Sequence, residues 1–513
     1  MNFASLIEQS CEKYSGQICV AEGDHRLTYD QIKERGNRLA GALVEMGIQF
    51  GDRVAIFQIN CFQFVEMIYS IAKIGAIFVS LNYRLRENEA SYILNNAEAK
   101  VLFLGNRYVE LIHSIRAELP FIKNFICIGK SRPEMQDYES MLSSQSPFPY
   151  PCIQAQENDT ACLVYTSGTT GLPKGAMLTH GNILSALSEK VSFSPAGKTL
   201  INVPMYHIAG ILATITPLIR GDKQIFLPQF EAGKFLEIVE KEKVATTYLV
   251  PTMLQSIMDH PDFSKRNLSS LKNIGYGASP MPVELLLHAK KALQADYTNY
   301  FGTTESTGII SVLLPEDHWL EGSKEKIEKK IRRFSGIGRP IFEIEARVVG
   351  DQDHDIPIGE VGEVIVRGKK IMKGYWNNPT GTKETLRGGW LHTGDLARMD
   401  EDGYLYLAGR KKDMIIRGGE NIYPVEIESL LHSHPKVLES AVIGIPDKYW
   451  GEIVKAVIVL KPAMQATPEE ITEYCGERLA SYKKPTIVEF VEALPKNAMG
   501  KVLKTVLRGE KPK

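Results

Sequence analysis

An α/β architecture with largely parallel sheets, continued by a β-rich subdomain and closed by a small α+β domain, is what the 513-residue sequence predicts. Three observations carry this. Through roughly the first 400 residues, short β-branched runs alternate with amphipathic stretches, as strands and helices do in parallel α/β units. From about Ile341 the pattern changes to alternating strands and hairpins. After the charged step Lys411-Lys412-Asp413 about 100 residues remain, enough for a second, smaller domain. The expected division is a large domain over 1–409, a hinge at 410–412 and a small domain over 413–513.

In chain order, Leu39-Ala-Gly-Ala-Leu-Val-Glu-Met46 reads as the end of a helix closed by Gly47. Asp52-Arg-Val-Ala-Ile-Phe57 reads as a strand, Cys61 to Ile74 as a helix and Ala76-Ile-Phe-Val-Ser80 as a strand. Val101-Leu-Phe-Leu104, Phe125-Ile-Cys-Ile128, Ala161-Cys-Leu-Val-Tyr165, Gln224-Ile-Phe-Leu227 and Thr246-Thr-Tyr-Leu-Val250 are short apolar runs of the kind that fill buried strands. Glu343-Ile-Glu-Ala-Arg-Val-Val349 and Gly362-Glu-Val-Ile-Val-Arg367 alternate as half-buried strands, and the Asp-, Pro- and Gly-rich Asp351 to Gly359 supplies the turn between them. Gly403-Tyr-Leu-Tyr-Leu-Ala-Gly-Arg410 ends the large domain. The most apolar stretch, Val54 to Leu81, carries Gln58, Asn60, Gln63, Glu66 and Lys73, which fits a buried helix and not a membrane span.

Composition excludes several classes. Hydrophobic residues make up 44% and charged residues 24%, the balance of a globular chain and not of a disordered or membrane one. Sixty basic side chains nearly cancel 61 acidic ones, which gives no support to nucleic-acid binding or to attraction by anionic lipid. Seven scattered cysteines without a C-x-x-C pair point to reduced thiols, with neither a disulfide framework nor a zinc site. The N-terminus lacks the charged head and apolar run of a signal peptide, and Glu510-Lys511-Pro512-Lys513 is no peroxisomal address, so a cytoplasmic location is expected.

The most specific local signal is Tyr165-Thr-Ser-Gly-Thr-Thr-Gly-Leu-Pro-Lys-Gly175, directly after an expected strand. Bare backbone N–H groups, small hydroxyls and one mobile cation are what a polyphosphate requires. The loop is not the Walker sequence, because Lys174 is followed by Gly175. It closely resembles the signature of the acyl-adenylate-forming enzymes, which include acyl-CoA synthetases, peptide-synthetase adenylation domains and beetle luciferase. The resemblance spans essentially the whole chain and implies stacked α/β sheets in the large domain and a mobile small domain. It also implies ATP contacts from Thr166, Ser167, Gly168, Thr169, Thr170, Gly171 and Lys174, with Thr166 near the metal.

The remaining motifs follow in the family's order. Tyr300-Phe301-Gly302-Thr303-Thr304-Glu305 resembles the segment that stacks on adenine and supplies an acidic magnesium ligand, Glu305, with Phe301 where the family usually has Tyr. Gly275-Tyr-Gly-Ala-Ser-Pro280 resembles the segment lining the other side of the base, with Gly277, Ala278 and Ser279 at the nucleotide, where small residues let the base approach the backbone. In Trp390-Leu-His-Thr-Gly-Asp395 the carboxylate is assigned to the ribose, and Arg410 matches a family arginine that also reaches the nucleotide. Leu494-Pro-Lys-Asn-Ala-Met-Gly-Lys501 resembles the C-terminal lysine motif, so Lys501 is the expected bridge between the attacking carboxylate and the α-phosphate. Gly418 and Gly419 are expected where a pantetheine arm slides past backbone, and Lys412 occupies the family's hinge position.

The resemblance implies two half-reactions: carboxylate attack on Mg·ATP giving an acyl-adenylate and pyrophosphate, then, after rotation about Lys412, displacement of AMP by coenzyme A. Pro204-Met-Tyr-His-Ile-Ala-Gly210 resembles the entrance to the acyl pocket, with His207 toward the substrate and Gly210 beside it. Gly302 stands where acetate-specific relatives carry Trp, so a pocket open beyond acetate is expected, and a tryptophan there is expected to close it. No residue between Phe301 and Val312 other than Glu305 is charged, which favours an apolar monocarboxylate, a fatty acid foremost. An aryl or alicyclic acid, a separate carrier protein as acceptor, and a luciferase-like oxygenase remain open, as does a homo-oligomeric state.

Overall fold

The computed structural model describes residues 2–129, 132–146, 151–166, 172–188, 197–496 and 502–509. Among these, the expected strands gather into two large sheets. The eight-stranded sheet runs Gly374–Tyr375, Lys174–Thr179, Thr160–Thr166, Ile77–Ser80, Arg53–Phe57, Val101–Gly105, Asn124–Ile128 and Gln136–Asp137, parallel in its centre and antiparallel at the first two pairings. The nine-stranded sheet has the parallel strands Ile18–Glu22, Lys223–Phe226, Lys198–Ile201, Thr246–Leu249, Asn273–Gly277 and Asp296–Thr303 at its centre, with antiparallel edges.

The two sheets sandwich helices Tyr29–Glu45, Gln63–Lys73 and Ile208–Arg220, and one core joins Val54, Ile56 and Phe78 of the first sheet to Val20, Ile201 and Phe226 of the second. Thr28 starts the first helix with a reciprocal cap from Gln31, and Gly47, at φ +82°, ends it. The sandwich explains why the second helix is buried all round: every residue from Phe64 to Lys73 is buried. Its two charges are compensated, Glu66 by Arg35 (2.6 Å) and the Tyr138 hydroxyl (2.6 Å), Lys73 by Glu8 and Tyr69 (2.8 and 3.0 Å). The helix starts at Gln63 and not at Cys61, because Phe62 turns its N–H onto Glu22 (2.9 Å). No helix among the described residues is long and apolar enough to cross a membrane.

The β-rich part is a five-stranded antiparallel sheet in which Trp390–Met399 pairs with Gly362–Gly368, with Leu386–Arg387 and with Leu405–Arg410. The single turn Lys411–Asp413 follows, and Ile415–Arg417 then opens the small sheet, whose long Val437–Asp447 and Gly451–Leu460 strands pack on helices Pro424–His432 and Pro468–Gly476. The expected hinge residues lie in this passage from one sheet to the next.

Candidate active site

An open crevice of about 3170 Å³ runs between the large domain and the small one. Thr166, Lys174, His207, Gly210, Gly277, Ala278, Ser279, Tyr300, Phe301, Gly302, Thr304, Glu305, Asp395, Arg410 and Lys412 all line it. Residues scattered over some 250 positions of sequence therefore meet on one surface, at the carboxyl ends of the central strands where α/β folds bind ligands. Gly418 and Gly419 do not line it: they form the tight turn between Ile415–Arg417 and Glu420–Ile422, at φ +59° and +89°, and a Cβ on Gly418 would strike the Trp450 ring. Ser167, Gly168, Thr169, Thr170, Gly171 and Lys501 lie outside the described residues.

The flanks of the phosphate-loop motif form a hairpin, Thr166 pairing with Lys174. Lys174 points over the ring of Tyr375, 5.3 Å from its centroid. The Tyr375 hydroxyl in turn donates to Glu305 Oε1 (2.8 Å), and the Glu305 carbonyl accepts from Met372 N (2.8 Å). Burial, then the neighbouring Glu305 charge, pushes the Tyr375 phenol well above its ordinary value, so it stays a neutral donor. Cation, ring, phenol and carboxylate thus form one chain. Tyr375 escaped the sequence reading because it sits on a two-residue edge strand that only pairing with Ala176 creates. Among the described residues no group of three or more His, Cys, Asp or Glu side chains is placed to hold a metal. A single carboxylate still fits Mg²⁺, which takes one or two carboxylates together with phosphate oxygens and waters.

At the adenine segment, Tyr300 and Phe301 are successive residues of the Asp296–Thr303 strand, so their rings project to opposite faces and only one can lie on a given base. Tyr300 is stacked on Tyr248 (6.1 Å, 30°). The glycines opposite are also required by the strand packing. A Cβ on Gly275 would come within 2.9 Å of the Tyr300 ring and one on Gly277 within 2.2 Å of the Tyr300 carbonyl, so only glycine fits at these places in the sheet. Ala278, exposed to the crevice, holds the left-handed value φ +65°, local strain of the kind that collects at binding sites.

Asp395 and Arg410 are register partners on adjacent strands and form an ion pair, Nε to Oδ1 2.9 Å, while Arg410 also donates to the Thr393 carbonyl (2.9 Å). Arg410 thus engages one oxygen of Asp395 and holds that carboxylate in place at the crevice. His207 caps the Ile208–Arg220 helix and lies against Tyr206, 4.2 Å between centroids. Gly210 packs its α-carbon on the Pro204–Met205 backbone, where a Cβ would fall 2.1 Å from the Pro204 carbonyl. A Cβ on Gly302 would fall 1.5 Å from the Gly308 carbonyl, so a side chain there is aimed at backbone. A tryptophan at 302 would therefore have to displace the Gly308 backbone before its ring could reach the crevice.

The crevice face of the Ile208–Arg220 helix carries Ala209, Leu212, Ala213 and Thr216, while Ile211, Ile215 and Leu218 are buried behind. Leu212 reaches the Gly308 turn, where a Cβ would lie 3.0 Å from its Cδ1. Arg220, at the helix end, is held by Asp222 (Nε to Oδ1 2.8 Å).

Comparison with known proteins gives the family. The AMP-binding enzyme family matches residues 7–376, and the AMP-binding enzyme C-terminal domain matches 426–501. A long-chain-fatty-acid–CoA ligase, FadD13, of Mycobacterium tuberculosis is 36% identical over 491 residues, covering 94% of this chain and 93% of that protein. A feruloyl-CoA synthase of an Amycolatopsis species is 35% identical over 496 residues, covering 95% of each. The anthranilate CoA ligase AuaEII, solved with anthranoyl-AMP, superposes with a TM-score of 0.90 at 30% identity, covering 99% of this chain and 97% of that one. The chain belongs to the AMP-binding, acyl-adenylate-forming enzyme family, in its acyl-CoA synthetase branch.

Proposed function

We propose that the chain activates an apolar monocarboxylic acid, a medium- or long-chain fatty acid foremost, and passes the acyl group to coenzyme A. The observation that carries this is the uncharged stripe Ala209, Leu212, Ala213 and Thr216, which leads away from His207 along the crevice wall and ends at an arginine already held by Asp222. A second carboxylate on the acid would find no cation along that stripe, and burying it alone would be costly. The relatives divide between fatty and aryl acids at nearly equal identity, which is why the wall is the argument.

In the first half-reaction the acid's carboxylate attacks the α-phosphorus of ATP. Lys174 and the loop of residues 166–171 would hold the leaving pyrophosphate, Asp395 the ribose, and Lys501 would offset the charge that gathers between carboxylate and phosphate. Mg²⁺ beside Glu305 would supply neutralisation of the phosphates. In the second half-reaction the small domain would rotate about Lys412 and bring Gly418 and Gly419 to the acyl-adenylate, where the coenzyme A thiol displaces AMP.

The test is pyrophosphate release with acetate, decanoate, palmitate, benzoate and ferulate, each with and without coenzyme A. Decanoate or palmitate should give the highest kcat/KM and form an acyl-CoA. Preference for benzoate or ferulate would replace the fatty reading with the aryl one. Adenylate formation with every acid but no thioester would move the acceptor from coenzyme A to a carrier protein.

A further inference from the structure

Glu363 lies on the Gly362–Gly368 strand, 5% exposed, and its two carboxylate oxygens face two different parts of the molecule. Oε1 accepts from the backbone N–H of Gly394 (3.1 Å). Oε2 takes the ammonium of Lys411 (3.1 Å). Gly394 is the left-handed residue, φ +69°, of the bend that presents Asp395 to the crevice. The other polar groups of that bend are fixed as well: Thr393 Oγ1 donates to the Val364 carbonyl (2.6 Å), Asp395 N donates to Thr393 Oγ1 (3.1 Å), and Arg410 donates to the Thr393 carbonyl (2.9 Å). Lys411 opens the turn in which the chain leaves the large domain, next to Lys412. One buried side chain therefore touches both the bend at the expected ribose site and the first residue of the turn between the domains.

The surroundings suit an exchangeable contact. Arg387 Nη2 stands 3.8 Å and His392 Nδ1 3.6 Å from the same Oε2, so the carboxylate keeps a cation nearby when Lys411 departs. Burial, and then Arg387, hold the His392 pKa below its ordinary value, which leaves Arg387 as the cation of that reserve. Lys411 itself is half exposed and gains water on leaving.

We infer that Glu363 is a positioning residue that couples the nucleotide-facing bend to the interdomain turn: with Lys411 on Glu363 the small domain is tethered, and release of Lys411 frees the turn. This rests on the reading above in which the domains alternate about residues 410–412. Because Lys411 is half exposed, the tether is worth no more than about fivefold in an equilibrium.

The test uses the full chain and no acid. The rate of cleavage by proteinase K within residues 406–416, read by mass spectrometry, is compared for the wild type, Glu363→Gln, Lys411→Gln and the double variant, each with and without AMP, and AMP affinity is measured by calorimetry. Glu363→Gln keeps an acceptor for Gly394 N–H but loses the charge that holds Lys411. Cleavage should therefore rise up to about fivefold in either single variant and no further in the double, because both remove one contact. AMP affinity in Glu363→Gln should stay within about twofold of the wild type, since only the tether is lost. Glu363→Ala removes the acceptor too and should weaken AMP binding as well, with melting temperature as the control for folding. AMP should slow cleavage in the wild type and lose that effect in Glu363→Gln. Unchanged cleavage in both single variants, additive effects in the double, or an AMP effect that survives Glu363→Gln would overturn the inference. A wild type that does not bind AMP would instead remove the nucleotide assignment of Asp395, and the cleavage series without AMP would still decide the tether.

Discussion

Tyr375 orders two opposite charges with one phenol, its hydroxyl on Glu305 and its ring under Lys174. Tyr375→Phe keeps the ring and removes only the hydrogen bond, so Lys174 is expected to stay while Glu305 gains rotational freedom. Losing a hydrogen bond to a charged group costs ~1.5–3 kcal/mol at most, of which only the part felt by the bound metal appears in activity. A magnesium titration of pyrophosphate release should show a half-saturating concentration raised about three- to tenfold by the weaker ordering of Glu305, with little change in melting temperature. An unchanged midpoint would detach Tyr375 from the metal. Gly302 gives a contrasting expectation at the same scale. Since its missing Cβ points at the Gly308 carbonyl, Gly302→Ala should destabilise the fold by ~1–3 kcal/mol and depress activity on all acids alike. A folded variant of normal melting temperature with altered chain-length preference would contradict the geometry.

The Ile208–Arg220 helix is the element on which substrate choice should turn, because one of its faces is core and the other is crevice. Ala213 is half-buried in the middle of the open face, so Ala213→Phe adds a ring across the stripe without touching Ile211 or Ile215 behind it. Palmitate should lose at least about tenfold in kcat/KM relative to acetate, the order that one misfitting group commands in an apolar pocket. Equal losses for both acids would move the acyl site off this helix. Elements of this kind were legible in the sequence when their pattern was local: buried strands such as Arg53–Phe57, Val101–Gly105 and Thr246–Leu249 follow short apolar runs, and the strands after Ile341 follow alternation. What the sequence left dark depends on long-range pairing. Ile18–Glu22 finds its sheet partner more than two hundred residues away at Lys223–Phe226, and Gly374–Tyr375 becomes a strand only beside Lys174–Thr179. The same holds for the site: motifs named Lys174, Glu305, Asp395 and Arg410, but Lys174 meets Glu305 through Tyr375, and the Asp395 bend meets Lys411 through Glu363, neither of which carries a local signature. Gly277 and Gly302 were recognisable as glycines of a motif, yet the atoms they make room for could be seen only in three dimensions.

The whole molecule stacks two sheets over a shared helical layer, and packing on both sides of each sheet buries groups that prefer water. His318 shows what this does to stability. It is fully buried between Tyr276, Tyr297 and Phe334, with its Nδ1 donating to the Leu314 carbonyl and its Nε2 accepting from the Tyr276 hydroxyl, both 2.8 Å. A carbonyl can only accept, so these partners select the neutral imidazole with its proton on Nδ1. Burial pulls its pKa down from 6.5 to about 4, and His180, in the layer between the sheets, is likewise pulled down to about 4, chiefly by burial. Below pH 6.5 the unfolded chain takes up these protons and the folded chain does not, so the stability they support is complete above 6.5 and is lost as the pH falls toward 4. Each histidine weighs up to ~1.4 kcal/mol per pH unit inside that window. Between pH 6.5 and 4.5 the free energy of unfolding, measured in urea, should therefore fall steeply, before carboxylate protonation dominates. His318→Gln should be less stable than wild type at pH 7.5, having lost a fitted ring, but its profile should be shallower by about one proton's slope. Parallel profiles for wild type and variant would show that His318 can be protonated in place, and that the Tyr276 hydroxyl turns to accommodate the second N–H.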